Sequence, residues 1–374
     1  MHILLAPDKF KSTLTAPEAA RAIATGLRKH FPDATIIEQP LADGGEGTLD
    51  VYARLLPAAQ RHRLYVTGPL RKPVRAEYLL HEGVAYIEMA AAAGLRHVPA
   101  PRRSPRNTTT IGVGQLIDDA VARGATHVNL FLGGSATNDG GAGMAAALGY
   151  RFFSDHPKDF IPMAGELRYV RRIDAAEVPD RLREITFTAV CDVRNPLLGP
   201  DGATYVYAEQ KGEPPEGLPE LEANMAHFAD RLAATFGRDF GDLPGGGAAG
   251  GLGAGAAAFL NADLRPGIDV LLDAVGFDAI CQGVDLVITG EGKIDAQTAH
   301  GKVVSGVARR AKAAGVPKVI AVCGRNELTR AEYRALGLDV VHALLDRSSM
   351  TLAYAMYRPE AALSGMVEEL CSEW

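Results

Sequence analysis

The chain has little with which to crosslink itself, enter a membrane or grip a polyanion. Its four cysteines, Cys191, Cys281, Cys323 and Cys371, lie far apart and form neither a C-x-x-C pair nor a Cys/His set with zinc spacing. That excludes a disulfide framework and a zinc module, and fits reduced thiols in a cytoplasmic protein. Blocks of like charge are missing, and the formal net charge is −6, so no extended electropositive surface is offered to nucleic acid or to an anionic membrane. An anionic small molecule must then be held locally. Long hydrophobic runs are missing as well. The apolar start, 1–7, meets Asp8 and Lys9 at once, too soon for a signal-peptide core, and reads as a strand. The long uncharged stretch 243–262 is mostly Gly and Ala and reads as a glycine loop leading into a helix, not a membrane span. No repeat of fixed period occurs.

What is present is ordinary globular material: 374 residues, 47% apolar and 22% charged, enough for two domains with a core each. Strand and helix signals alternate at both ends. Residues 2–6 and 35–38 read as strands around a helix that opens at Thr15, with Pro in its first turn and Glu18 completing a capping box. The pattern returns with strands over 285–289, 318–322 and 339–344 and a helix over 302–314. Continuous apolar strands bounded by helices predict an α/β fold with a doubly wound parallel sheet. That domain would be built from 1–66 and 284–374, with 67–283 inserted as a second α/β domain. The insertion has strand signals of its own at 85–88, 127–132 and 184–190, and its 200–219 segment is rich enough in Gly and Pro to read as loop.

Several segments can carry chemistry. GGSATNDGG at 133–141 lies between a strand and a helical run, where backbone N–H groups converge and a helix dipole favours an anion. There Ser135, Thr137 and Asn138 add donors, and Asp139 can face a metal or a lysine. The plain alternative is a tight connection whose glycines serve backbone angles. PGGGAAGGLGAG at 244–255 contains Gly251-x-Gly253-x-x-Ala256, formally a dinucleotide fingerprint, but no strand signal precedes it, which argues against NAD. It is either close helix packing on small residues or a phosphate-binding helix start. TGEGKIDAQTAHGK at 289–302 sits where a strand ends and a helix begins; its spacing fails as a P-loop. Glu291 and Asp295 can bind magnesium there, and Lys293 or Lys302 can neutralise phosphate, or the whole stretch is solvated charge. Asp8, Lys9, Lys11 and Ser12 follow the first strand and Asp43 and Glu46 the second, so both groups should emerge at the same carboxyl edge as 290–295. Asp192, Arg194 and Asn195 follow another apolar strand, with Asp192 either a base for a substrate hydroxyl or a turn former.

Seven ordered motifs resemble type I glycerate kinases: PDKFK (7–11), ADGGEGT (42–48), GGSATNDGG (133–141), CDVRNPL (191–197), QKG (210–212), 244–255 and 285–302. The resemblance implies a flavodoxin-like domain from both chain ends, an inserted α/β domain, and ATP-dependent phosphorylation of D-glycerate, usually to 2-phosphoglycerate. Glycerate is then expected in a cleft between the domains and the ATP phosphates against a glycine-rich helix start. In that scheme Asp192 is the base, and Lys9, Lys11 and Lys302 neutralise charge. Ser12, Asp43, Glu46, Gly133, Gly134, Ser135, Thr137, Asn138, Asp139, Arg194, Asn195, Lys211, Gly290, Gly292 and Lys293 bind substrate or phosphate, and Glu291 with Asp295 holds Mg2+. Ala208-Glu209 and Lys293 depart from the family pattern, which often has Gly-Pro and Arg at these places. A small molecule is the expected partner, with neither nucleic acid nor membrane, and a homodimer is allowed. Rival readings are a kinase for the 3-hydroxyl or a related hydroxy acid, a non-catalytic carboxylate-binding protein, and an NAD oxidoreductase.

Overall fold

The N-terminal apolar run forms strand β1 (His2–Pro7), buried at every residue after His2, in a computed structural model that describes residues 1–10, 13–41, 48–155, 159–296, 298, 302–348 and 350–371. The further strands are β2 (Thr35–Glu38), β3 (Gln60–Thr67), β4 (Pro73–His81), β5 (Val84–Glu88), β6 (His127–Phe131), β7 (Arg151–Phe153), β8 (Asp159–Phe160), β9 (Arg172–Asp174), β10 (Thr186–Val190), β11 (Asp263–Arg265), β12 (Leu286–Ile294), β13 (Lys318–Asn326) and β14 (Val340–Ala343).

One sheet, all parallel, has the order β14-β13-β12-β1-β2. Ile3, Leu5, Leu286, Ile288, Ile320 and Val322 line one of its faces under the helices Ala16–His30 and Pro359–Leu370. Burying each such side chain contributes about 1.5–3 kcal/mol. Thr15 caps the first of these helices, accepting from the Glu18 N–H while Glu18 accepts from the Thr15 N–H at 2.8 Å. The two helices approach closely at Gly26, where a Cβ would lie 2.5 Å from the Ser364 carbonyl.

The second sheet runs β11-β10-β6-β5-β4-β3, parallel from β11 to β5 and antiparallel through β4 and β3, and a small sheet β8-β7-β9 accompanies it. Val113, Leu116 and Ile117 of the helix Ile111–Ala122 pack on one face with Ile87, Val128 and Leu130.

Two compact units result, Met1–Gly45 with Gly267–Trp374, and Glu46–Pro266. The chain thus divides at 45/46 and 266/267, where the sequence pattern suggested 66/67 and 283/284. The first difference arises because β3 pairs along its whole length with β4. The second arises because the helices Gly267–Ala274 and Phe277–Ile280 are tied to the helix Val303–Ala313: Arg310 pairs with Asp273 at 2.8 Å and Asp278 at 2.7 Å, and Gly306 sits against Ile268. The 200–219 segment is also more ordered than its Gly and Pro content suggested. It contains the helix Ala203–Tyr207, anchored by buried Ala203 and Thr204. Among the described residues no helix is long and apolar enough to cross a membrane.

Candidate functional site

In the first unit, parallel register brings the carboxyl ends of β1 and β12 together. Pro7 stands opposite Gly290, and the Asp8 N–H donates to the Gly290 carbonyl at 2.8 Å. A side chain at 290 is excluded because its Cβ would lie 2.3 Å from the Val322 carbonyl. Asp8 is buried and accepts from the Lys9 N–H at 2.6 Å, while Lys9 is exposed.

β12 continues past β1, paired with β13 alone, and this extension carries Glu291, Gly292 and Lys293. Glu291 is 8% exposed, so it is no solvated surface charge. It accepts from Thr298 Oγ1 at 2.8 Å, and Lys302 Nζ lies 4.0 Å from its other oxygen. The same Thr298 oxygen accepts from the Asp295 N–H at 3.1 Å, which fastens the 295–298 turn to the strand. Lys293 is turned to two carboxylates, Glu327 at 2.8 Å and Asp295 at 3.2 Å, and hydrogen bonds to these, Glu327 first, raise its ammonium above the ordinary value. Expected to meet phosphate, it is an ion-paired side chain here. Lys11, Ser12, Asp43 and Glu46 lie outside the described residues.

In the second unit the glycine loop leaves β6 with Gly133 and Gly134 exposed and Ser135 mostly buried. It is zipped to a neighbouring segment: Leu95 N–H donates to the Gly134 carbonyl at 3.0 Å and Ala136 N–H to Ala93 at 2.9 Å. Thr137, Asn138 and Asp139 are fully buried. Asp139 accepts from Thr110 N–H at 2.8 Å, Thr110 Oγ1 at 2.9 Å, and the Gly141 and Gly143 N–H groups at 3.3 Å each. It thereby joins the first turns of the helices Ile111–Ala122 and Ala142–Ala147, where aligned peptide dipoles favour negative charge. Burial pushes its carboxyl up, and those four bonds pull it back.

Lys211 is also sealed, 2% exposed, and donates from Nζ to the Thr137 carbonyl at 2.8 Å. Burial pushes its ammonium down to about 7, against the opposing pull of Asp139. Thr137, Asn138, Asp139 and Lys211, expected to bind substrate or phosphate, are buried beneath the loop, with Asp139 and Lys211 hydrogen-bonded to its surroundings. Among them Thr137 Oγ1 and Asn138 Oδ1 are buried without hydrogen-bond partners.

The end of β10 presents Asp192 and Arg194 as exposed residues. Burial first, then the Asp192 charge, pushes the neighbouring Cys191 thiol up to about 11. Asn195, expected to bind substrate or phosphate, donates to the Asp201 carbonyl at 2.8 Å and accepts from Tyr207 Oη at 2.7 Å, tying a turn together.

The second glycine run resolves as packing. Ala249, Gly250 and Gly251 have left-handed backbones, and a Cβ at Gly255 would lie 2.3 Å from the Gly140 carbonyl. Gly140 N–H donates to the Gly250 carbonyl at 3.1 Å, so the run seats its backbone directly against the first glycine loop. No strand among the described residues leads into it, and the dinucleotide fingerprint lacks its context. The sequence gives no signal for Thr110 and Thr298, each a single hydroxyl that donates to a buried carboxylate, Asp139 and Glu291 respectively.

The model of the glycerate kinase family matches residues 3–374. A glycerate kinase of Bacillus subtilis (strain 168) is 48% identical over 350 residues, covering 92% of this chain and 90% of its own. A glycerate 2-kinase of Escherichia coli (strain K12) is 42% identical over 347 residues, covering 92% and 91%. A crystal structure of a protein described as a glycerate kinase 2 from Salmonella typhimurium LT2 superposes with a TM-score of 0.83 at 40% identity, covering 100% of this chain and 98% of its own. Matches of this extent at this identity establish that the chain belongs to the glycerate kinase family.

Proposed function

We propose that this chain transfers the γ-phosphoryl group of ATP to the 2-hydroxyl of D-glycerate, giving 2-phosphoglycerate and ADP in a magnesium-dependent reaction in the cytoplasm. The observation that carries it is the 42% identity, over 92% of the chain, with a protein named glycerate 2-kinase. We take the two compact units as the two domains. The first is read as flavodoxin-like, because β2-β1-β12-β13-β14 repeats the 2-1-3-4-5 strand order of that fold, whose ligands bind beyond the carboxyl ends of the strands.

Among the described residues no group of three or more His, Cys, Asp or Glu could hold a metal ion. Magnesium needs less, since it keeps waters and takes one or two carboxylates together with substrate phosphates. Glu291 and Asp295, fastened by one Thr298 hydroxyl, fit that requirement. When bound, the ion would neutralise phosphate oxygens. Lys302, beside Glu291, and Lys9, just past β1, would add positive charge where phosphoryl transfer develops negative charge, as would Lys11, which lies outside the described residues. The exposed backbone of Gly133 and Gly134 offers N–H groups to an anion. Asp192 would accept the proton of the 2-hydroxyl as its oxygen bonds to phosphorus and the bond from phosphorus to the ADP oxygen breaks.

The test is a coupled ADP-release assay with D-glycerate, ATP and magnesium, followed by phosphorus NMR of the product. Turnover to 2-phosphoglycerate is expected. A 3-phosphoglycerate product would overturn the regiochemistry, and a folded protein without turnover on glycerate would overturn the substrate.

A further inference from the structure

We propose that Arg63, Arg75 and Arg96 form a binding site for a small oxyanion, a carboxylate or a phosphate, on the second unit, and that its occupancy is transmitted to the glycine loop through residues 94–97. With Ala76 and Glu77 these arginines line an open pocket of about 360 Å³. Strand register assembles it: Arg63 stands opposite Glu77 and Tyr65 opposite Arg75, so the charged residues share one face while Leu64, Val66, Ala76 and Tyr78 turn to the core. In a protein of net charge −6, three guanidiniums around one concavity run against the general balance.

The carboxylate in the pocket is already engaged. Glu77 accepts from Arg63 at 2.9 Å and from Arg61, which also pairs with Asp50 at 2.7 Å. Burial raises the Glu77 carboxyl, yet these bonds bring it below its ordinary value, so it stays charged and committed. Arg75 has no hydrogen-bond or ion-pair partner among the described residues, and Arg96 Nε lies 3.4 Å from His97 Nε2, which is itself held at 2.9 Å by the Ala91 carbonyl. Two guanidiniums with uncompensated charge repel each other. An oxyanion relieves that repulsion and matches the planar donor fork of arginine.

Arg96 lies in the turn Leu95–His97, which is not an isolated surface loop. Leu95 N–H donates to the Gly134 carbonyl at 3.0 Å, and Gly94 bridges Ser135. Drawing Arg96 toward a bound anion therefore pulls on the segment that shapes Gly133, Gly134 and Ser135.

The anion site stands on the pocket itself, while any effect on turnover rests on the proposed kinase reading, so binding is measured separately. Inorganic phosphate and D-glycerate would each be titrated into the full chain and into Arg75→Ala/Arg96→Ala, following the His97 ring by NMR. Both arginines are exposed, so circular dichroism should show an unchanged fold. Burial, and after it the Arg96 charge, hold the His97 imidazole below its ordinary pKa. An anion on Arg96 is expected to raise it. The double variant should bind phosphate at least about tenfold more weakly and lose the His97 response. A glycerate KM raised about tenfold at unchanged kcat would identify the anion as the substrate carboxylate. Glycerate kinetics unchanged without phosphate, together with loss in the double variant of an effect of phosphate on them, would identify a separate effector. Equal phosphate affinity in the two proteins overturns the site, whether or not glycerate is turned over.

Discussion

Gly250→Ala and Gly133→Ala should separate the two glycine runs by their physical roles. Gly250 has φ +69, and an added Cβ would lie 2.0 Å from the Thr137 carbonyl oxygen and 2.7 Å from Asn138 Cα. The left-handed backbone costs an alanine about 1–2 kcal/mol. The clash is with backbone, so no rotamer relieves it, and overpacking adds roughly 1–3 kcal/mol. A loss of about 3 kcal/mol follows, which lowers Tm by about 6–12 °C in a domain of 150–250 residues. At Gly133 the new Cβ meets nothing within 4 Å and the backbone is not left-handed. Stability should stay within about 0.5 kcal/mol there. Activity should nonetheless fall, through a raised KM, because the methyl group stands where an anion would approach the exposed backbone. Calorimetry paired with steady-state kinetics reads both. If Gly250→Ala melts within about 1–2 °C of the parent protein, the packing role assigned to 244–255 is refuted.

Asp192→Asn should reduce kcat by about 10²–10⁴ with an unchanged melting curve, and near-normal turnover would remove it as the base. Glu291→Gln keeps an acceptor for Thr298 but loses its charge, so half-maximal activity should require about ten- to a hundredfold more magnesium; an unchanged requirement would count against Glu291 as a ligand. Lys211 titrates near 7 when folded, against an ordinary value of 10.5, so from pH 7 to 10 the unfolded chain binds more protons at this site. This group therefore makes the second unit more stable as pH rises, by at most about 1.4 kcal/mol per pH unit, and Lys211→Met should flatten that slope in urea melts.

What could be read in advance was whatever is encoded by neighbours in sequence. The apolar runs at 2–6 and 318–322 and the Thr15 capping box are local patterns, and each is present in the fold. The sequence does not reveal side-chain partners that come from distant segments. Lys211 and Asp139 look like ligand-facing charges until Thr110, Gly141 and Gly143 are folded around them. Asn195 looks available until Tyr207 reaches it. The glycines of 244–255 were ambiguous for the same reason, since the 137–141 backbone that requires them lies more than 100 residues away. The compact units begin and end elsewhere than the sequence pattern suggests because β3, a strand with mixed polarity, reveals its sheet only through its pairing with β4.

The pairing of β1 with β12 also has a consequence for biosynthesis. His2 N–H donates to Asp285 at 2.8 Å across 283 positions of sequence. β1 leaves the ribosome well before its inner partner, which follows after roughly 15–55 s at about 5–20 residues per second. During that interval every strand of the second sheet, from β3 to β11, becomes available, so this unit can close while β1 and β2 remain a two-stranded fragment with an open apolar edge. Such an edge invites pairing with other chains. Aggregation of nascent protein should therefore peak for chains arrested between about residues 266 and 286, and fall once β12 has emerged.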